Sequence, residues 1–301
     1  MFRSLRHSGS LAWSLICALA SAESARKKYS EQIIIQNMDL SAQPRVAASS
    51  YLNTAPLIWS FTHGSRRGAI DLVEAVPAQC ATLIESGNVE AALVPVIEYQ
   101  RLANVSLVPD VCVGSQQRVR SVVLLTHADS LREVRRVALD QSSRTSAALL
   151  RIIFREFLGF EPEWVPGSTN VSQMLVENDA ALIIGDPAMT FSRARLQIFD
   201  MAELWHEYTG LGFVFAMWVI RAGASRAAEI DFAGARDEGT ALVEDIVAAY
   251  KPLLQLPEEE LRSYLQQNIT FTVNEQMRAG LDLYFKLARK HELIPGLKPL
   301  K

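Results

Sequence analysis

The segment Asp140-Gln141-Ser142-Ser143-Arg144-Thr145-Ser146 joins an apolar run to a strongly amphipathic stretch. Free backbone N–H groups at a helix start, flanked by hydroxyls and aided by the helix dipole, make a receptor for a carboxylate or phosphate. Ser143, Thr145 and Ser146 are therefore candidate ligand-binding residues. The competing account is a plain helix cap by Ser142 or Ser143 with no ligand. A second segment, Ser49-Ser50-Tyr51-Leu52-Asn53-Thr54-Ala55-Pro56-Leu57, follows the first strand pattern and leads into a short helix. Pro56 suits a first helical turn, and Asn53 both donates and accepts hydrogen bonds. Here an ordinary Asx turn is the simpler account.

Ser121 opens an apolar strand after Arg118 and Arg120; a polar strand-edge residue is the commoner case, but at a crossing between lobes it would face a cleft. Asp186 follows Gly185 at the end of another strand, in the kind of carboxyl-end loop where open α/β sheets gather ligands, though the turn chemistry of Asp186-Pro187 explains it just as well. Glu98 sits just beyond the strand ending at Val96, where a first-turn glutamate also favours the helix dipole. The five histidines are dispersed, and no GxSxG, HExxH or P-loop pattern is present. Cys17, Cys80 and Cys112 lack metal-ligand spacing, so neither a metal nor another cofactor is expected.

These residues need a scaffold, and the chain supplies one by alternating short apolar runs with helical patterns, the mark of an α/β fold. Strands are expected at 45–49, 71–76, 91–96, 121–126, 136–140, 163–165, 181–185 and 213–220. The clearest helix is Thr145–Leu158, stopped by Gly159, and after Ile220 only helices remain, suited to the outside of the first sheet. Two βαβ-rich halves with a helical return suggest two lobes about a cleft: residues 44–126 with 213–301, and an inserted lobe at 127–212. A single doubly wound domain is the alternative.

Of 301 residues, 49% are apolar and 21% charged, which supports a large core. The 30 lysines and arginines against 33 acids leave a net charge of −3, without the basic footprint of a nucleic-acid binder. No apolar run approaches the ~20 residues of a spanning helix, so no stable membrane insertion is expected. The N-terminus, with Arg3, Arg6, an apolar run at 11–19 and Ala20-Ser21-Ala22, has the pattern of a secretory signal. A misplaced start ahead of Met38 explains it equally well, and either way residues 1–43 are expected outside the fold.

The motifs Ser50-Tyr51-Leu52-Asn53-Thr54-Ala55-Pro56-Leu57, Ala92-Leu93-Val94-Pro95-Val96-Ile97-Glu98-Tyr99, Ser142–Leu150 and Ala181–Ala188, in this order and spacing, resemble the chorismate dehydratases of the futalosine route to menaquinone. The likeness runs from about Arg45 to Leu293. It implies a two-lobed type II periplasmic-binding-protein-like α/β fold with a ligand cleft between lobes, and a cytoplasmic, cofactor-free enzyme acting on chorismate. It further implies that Asn53 and Ser121 occupy the family's functional asparagine and serine positions; the residues read above, Ser143, Thr145 and Ser146 for one carboxylate, with Asp186 and Glu98, are the expected substrate-binding set beside them. Two other readings share the fold. An exported solute-binding protein for a small carboxylate is favoured by the signal-like N-terminus, and the sister dihydroxynaphthoate synthase is disfavoured because no histidine lies in a motif matching its base.

Overall fold

The computed structural model describes residues 43–167, 170–192 and 194–300; the N-terminal signal-like segment lies outside them. The chain begins with β1 (Arg45–Ala48), α1 (Ala55–Thr62), β2 (Asp71–Glu74), α2 (Pro77–Glu85), β3 (Ala91–Pro95), α3 (Val96–Arg101) and β4 (Val105–Ser115). It then crosses to β5 (Val122–Thr126), β6 (Arg136–Leu139), α4 (Arg144–Ile152), β7 (Glu163–Pro166), α5 (Val171–Glu177), β8 (Ala180–Ile184), α6 (Asp186–Thr190), β9 (Gln197–Asp200) and α7 (Met201–Thr209). It returns through β10 (Phe213–Arg221) to α8 (Phe232–Ala241), α9 (Val243–Leu254), α10 (Glu258–Ser263) and α11 (Glu275–Lys290).

Two five-stranded sheets result, ordered β2-β1-β3-β10-β4 and β7-β6-β8-β5-β9. In each, three parallel strands are joined by one antiparallel strand that arrives from a crossing and by an antiparallel edge strand. Sequence follows position. Central β3, β5 and β8 are buried along their whole length, whereas edge strands β2 and β7 begin and end on exposed acids or Pro166. This is the pattern expected when helices cover both faces of a parallel sheet.

Two strands escape the sequence pattern. β4 contains Pro109, and Asp110 has φ 56°, which read as a turn; the strand survives because it is an edge, with register shifts against β10. β9 has only four residues, too short for a periodic signal. The Thr145–Leu158 helix is present but changes to a π-helical turn at Ile153–Leu158, before Gly159 takes φ 78°. The helical return also reaches further than the first sheet, because Tyr284 of α11 donates to the Thr145 carbonyl oxygen at 3.0 Å.

The first crossing is pinned by Asp200, 2% exposed at the α7 N-terminus. Its carboxylate accepts from the amides of Val119, Arg120, Ala202 and Glu203 at 2.6–3.2 Å. Burial pushes its pKa up, against those four amides. No helix of the described residues is long and apolar enough to cross a membrane.

Candidate active site

A pocket of about 530 Å³, counted to its open mouth, lies where carboxyl ends of parallel strands from both sheets converge. The turn after β1 contributes Ser49, Tyr51, Asn53 and Thr54; the turn after β6 and the α4 start contribute Ser142–Ser146. Pro95 and Gly185, at the end of β3 and just beyond β8, complete the rim. Register sets the floor, pairing Val122 with Ile184 and Ala216 with Pro95. At Gly185, φ is 67° and an added Cβ would lie 2.5 Å from the Tyr51 ring, so only glycine allows the loops this approach.

The second-sheet wall is built to donate. Asp140 Oδ1 accepts from both the amide and hydroxyl of Ser142, at 2.8 and 2.7 Å, closing an Asx turn that aims the chain into α4. Ser143 is the N-cap residue, yet its side chain makes no cap hydrogen bond. The plain-cap account therefore fails for Ser143; its hydroxyl and that of Ser146 make no hydrogen bond among the described residues, and both residues line the pocket. The amides of Arg144, Thr145 and Ser146, in the first helical turn, have no backbone acceptor. Thr145 Oγ1 accepts from the Ile97 amide at 3.3 Å, which ties this turn to α3.

On the first-sheet wall, Thr54 Oγ1 donates to Asn53 Oδ1 at 3.3 Å and accepts from Ser49 Oγ at 2.7 Å. The Asn53 carbonyl end is thereby occupied and its NH₂ remains as donor. Behind it stands Tyr264, buried in a π-helical turn (Tyr264–Asn268) after α10. Its hydroxyl donates to Ser121 Oγ at 2.7 Å. Burial drives the Tyr264 pKa upward, with the Asp186 charge adding to it and the hydrogen-bonding neighbours Ser121 and Asn53 opposing, so the phenol keeps its proton.

Three residues expected at the ligand stand behind the wall. Ser121 is fully buried and turned toward Tyr264, while its neighbour Val122 takes the pocket face; alternation along the strand decides this, and sequence could not say which way. Glu98 is 3% exposed and gives one oxygen to Arg101 at 2.6 Å and the other to Arg144 at 2.7 Å. Its effect on the pocket runs through Arg144, which does line it. Asp186 Oδ1 accepts from the Leu52 amide at 2.9 Å, joining the turn after β1 to the end of β8. Burial raises its pKa to about 6, and the Leu52 bond offsets only part of that.

Arg144 and Tyr264 were not singled out by sequence. Arg144 lay within the quoted motif, but its pairing with Glu98 spans 46 positions; Tyr264 is 143 positions from Ser121, beyond any local pattern. Among the described residues no group of three or more histidine, cysteine, aspartate or glutamate side chains converges on a metal position.

The sequence matches the menaquinone biosynthesis family over residues 44–290. It is 30% identical over 254 residues to the chorismate dehydratase of Thermus thermophilus, covering 78% of this chain and 91% of that protein. In fold it is similar to protein AF1704 of Archaeoglobus fulgidus, with TM-score 0.68, 20% identity, and coverage of 84% of this chain and 98% of that one. The periplasmic aliphatic sulphonate-binding protein SsuA of Escherichia coli is similar at TM-score 0.58 and 16% identity, covering 86% and 90% of the two chains. The architecture is thus two-lobed and periplasmic-binding-protein-like, and the chain belongs to the menaquinone biosynthesis family.

Proposed function

We propose that the protein is a chorismate dehydratase, a hydro-lyase that eliminates water from chorismate to give 3-[(1-carboxyvinyl)oxy]benzoate. The supporting observation is the make-up of the pocket wall. Among the described residues that line it there is no aspartate, glutamate or histidine, while unspent amides, two free hydroxyls, the Asn53 amide and Arg144 all donate. Such a wall suits a dianion that carries its own base. The likeness to the Thermus thermophilus enzyme supports the same reading.

On this reading Ser143, Thr145 and Ser146, with their helix-start amides and Arg144, hold one carboxylate of chorismate. The Asn53 NH₂ donates at the reacting face, toward the departing hydroxyl. Ser121 acts as a positioning residue through Tyr264, Glu98 through Arg144, and Asp186 through the Leu52 turn. Since neither amide nor unactivated hydroxyl is a useful base, the substrate's enolpyruvyl carboxylate takes the ring proton. The C–H electron pair becomes the new ring double bond as the C–O bond breaks, and the released hydroxide recovers the proton as water. Because the ring becomes aromatic, orientation and charge stabilisation carry the catalysis. The enzyme works in the cytoplasm, as the resemblance implies.

Incubating the purified chain with chorismate and following ultraviolet absorbance for an aromatic product tests the reading. Binding of chorismate without product would instead make the protein a solute receptor. An analogue lacking the enolpyruvyl carboxylate should bind without eliminating, and its efficient turnover would refute substrate-assisted proton transfer.

A further inference from the structure

A second depression, of about 850 Å³ counted to its open mouth, lies on the other side of the α4 start; Ser143 and Arg144 line both. One wall of it is α4 itself, through Arg144, Ala147, Ala148 and Arg151, and another is β7 from Trp164 to Pro166. Positions seven apart on an α-helix return to the same face about 10 Å further along the axis. Arg144 and Arg151 therefore share one face of α4 with Ala147 and Ala148 between them, beside the Trp164 indole.

The two arginines are not equally satisfied. Arg144 pairs with Glu98 through one nitrogen at 2.7 Å and keeps its other N–H groups. Arg151 has no carboxylate at ion-pair distance among the described residues, and its contact is the Trp164 ring, 5.0 Å away. The nearby acid, Glu161, is spent on Arg155 Nη2 at 2.5 Å and Trp164 Nε1 at 2.6 Å. Asp140, which also lines the depression, gives Oδ1 to the amide and hydroxyl of Ser142. Half-burial and the Arg155 charge both weigh against the Arg151 cation, so an anion arriving here would relieve it.

We propose that this groove is a second anion site, distinct from the first pocket, that takes a flat dicarboxylate with one acid group on Arg151 and the other on Arg144. Two arginines on one helix face suit a dianion, and the indole beside them suits a flat ring between its acid groups. The indole wall and alanine floor fit the faces of such a ring, and a monocarboxylate would leave one guanidinium unfilled. Because Arg144 belongs to both cavities, a ligand here acts on the first pocket from behind. The inference does not depend on the identity of the reaction.

Isophthalate and benzoate are suitable probes, titrated into the full chain by calorimetry and by tryptophan fluorescence. Isophthalate binding at this site should weaken tenfold or more in Arg151→Gln, benzoate should bind more weakly than isophthalate in the unaltered chain, and Trp164→Phe should abolish the fluorescence change while heat of binding persists. Failure of the unaltered chain to bind isophthalate, or identical affinity and stoichiometry in R151Q, overturns the proposal. Binding is read without turnover, so failure of the chorismate assay leaves this result standing.

Discussion

The turns after β1 and after β6 hold equivalent places, each following the strand flanked by the two parallel neighbours of its sheet. They nevertheless present opposite chemistry to the pocket. In the first, the amides of Thr54, Ala55 and Leu57 bond to Tyr51, Leu52 and Thr54 carbonyls, and Pro56 has no N–H to offer. Its hydroxyls are also spent, Ser49 on Thr54 and Thr54 on Asn53. In the second, three amides and two hydroxyls stay free. Topology alone therefore does not make a helix start an anion receptor. Whether the first turn satisfies itself decides it, and the first turn here leaves one side-chain amide, Asn53, as its contribution.

The same contrast recurs one strand over. Glu98 beyond β3 is matched by Asp186 beyond β8, but two arginines compensate the first and a single backbone amide the second. A buried carboxylate so thinly compensated holds the proton more tightly in the fold than in the unfolded chain.

The sharpest break in the comparison is Asn53→Ala, which should lower kcat by about 10²–10³-fold with little change in KM, as for loss of one preorganised donor; steady-state kinetics with chorismate checks it. Next is Asp186→Asn. The Asp186 pKa rises from 3.8 to about 6 in the fold, so native protein binds more protons than unfolded protein between those values. Stability accordingly declines as pH rises through that window, by at most about 3 kcal/mol. The variant should melt higher than the parent at pH 8, and the gap should close as pH falls from 6 toward 4, as calorimetric scans would show. Ser143→Ala and Ser146→Ala should each raise KM by roughly tenfold, about 1.5 kcal/mol for a hydrogen bond to a charged group, while kcat holds. The smallest effect belongs to Tyr264→Phe, which keeps the packing but releases Ser121: about 1 kcal/mol of stability by urea titration, and a few-fold lower kcat.

Much of the scaffold was legible because buried strands such as Val122-Val123-Leu124-Leu125 have no polar residue to confuse them. Edge strands were harder, since an edge tolerates Pro109 and needs no more than the four residues of β9. At the site, local motifs located both turns, and Asn53, Ser143, Thr145 and Ser146 all line the pocket. What sequence withheld was depth. Glu98, Ser121 and Asp186 share the motif character of contact residues, yet each is spent on a partner 46 or more positions away: Arg144, Tyr264 and Leu52. Only the packing of α3, α6 and the helical return reveals that.

Asp200 gathers amides from Val119 and Arg120 as well as from α7, so that stretch of the linker is riveted to the inserted half of the protein. The same stretch is fastened to the helical return as well, Arg120 to Glu260 and Ser121 to Tyr264, so this one crossing couples residues from three parts of the chain beside the pocket floor.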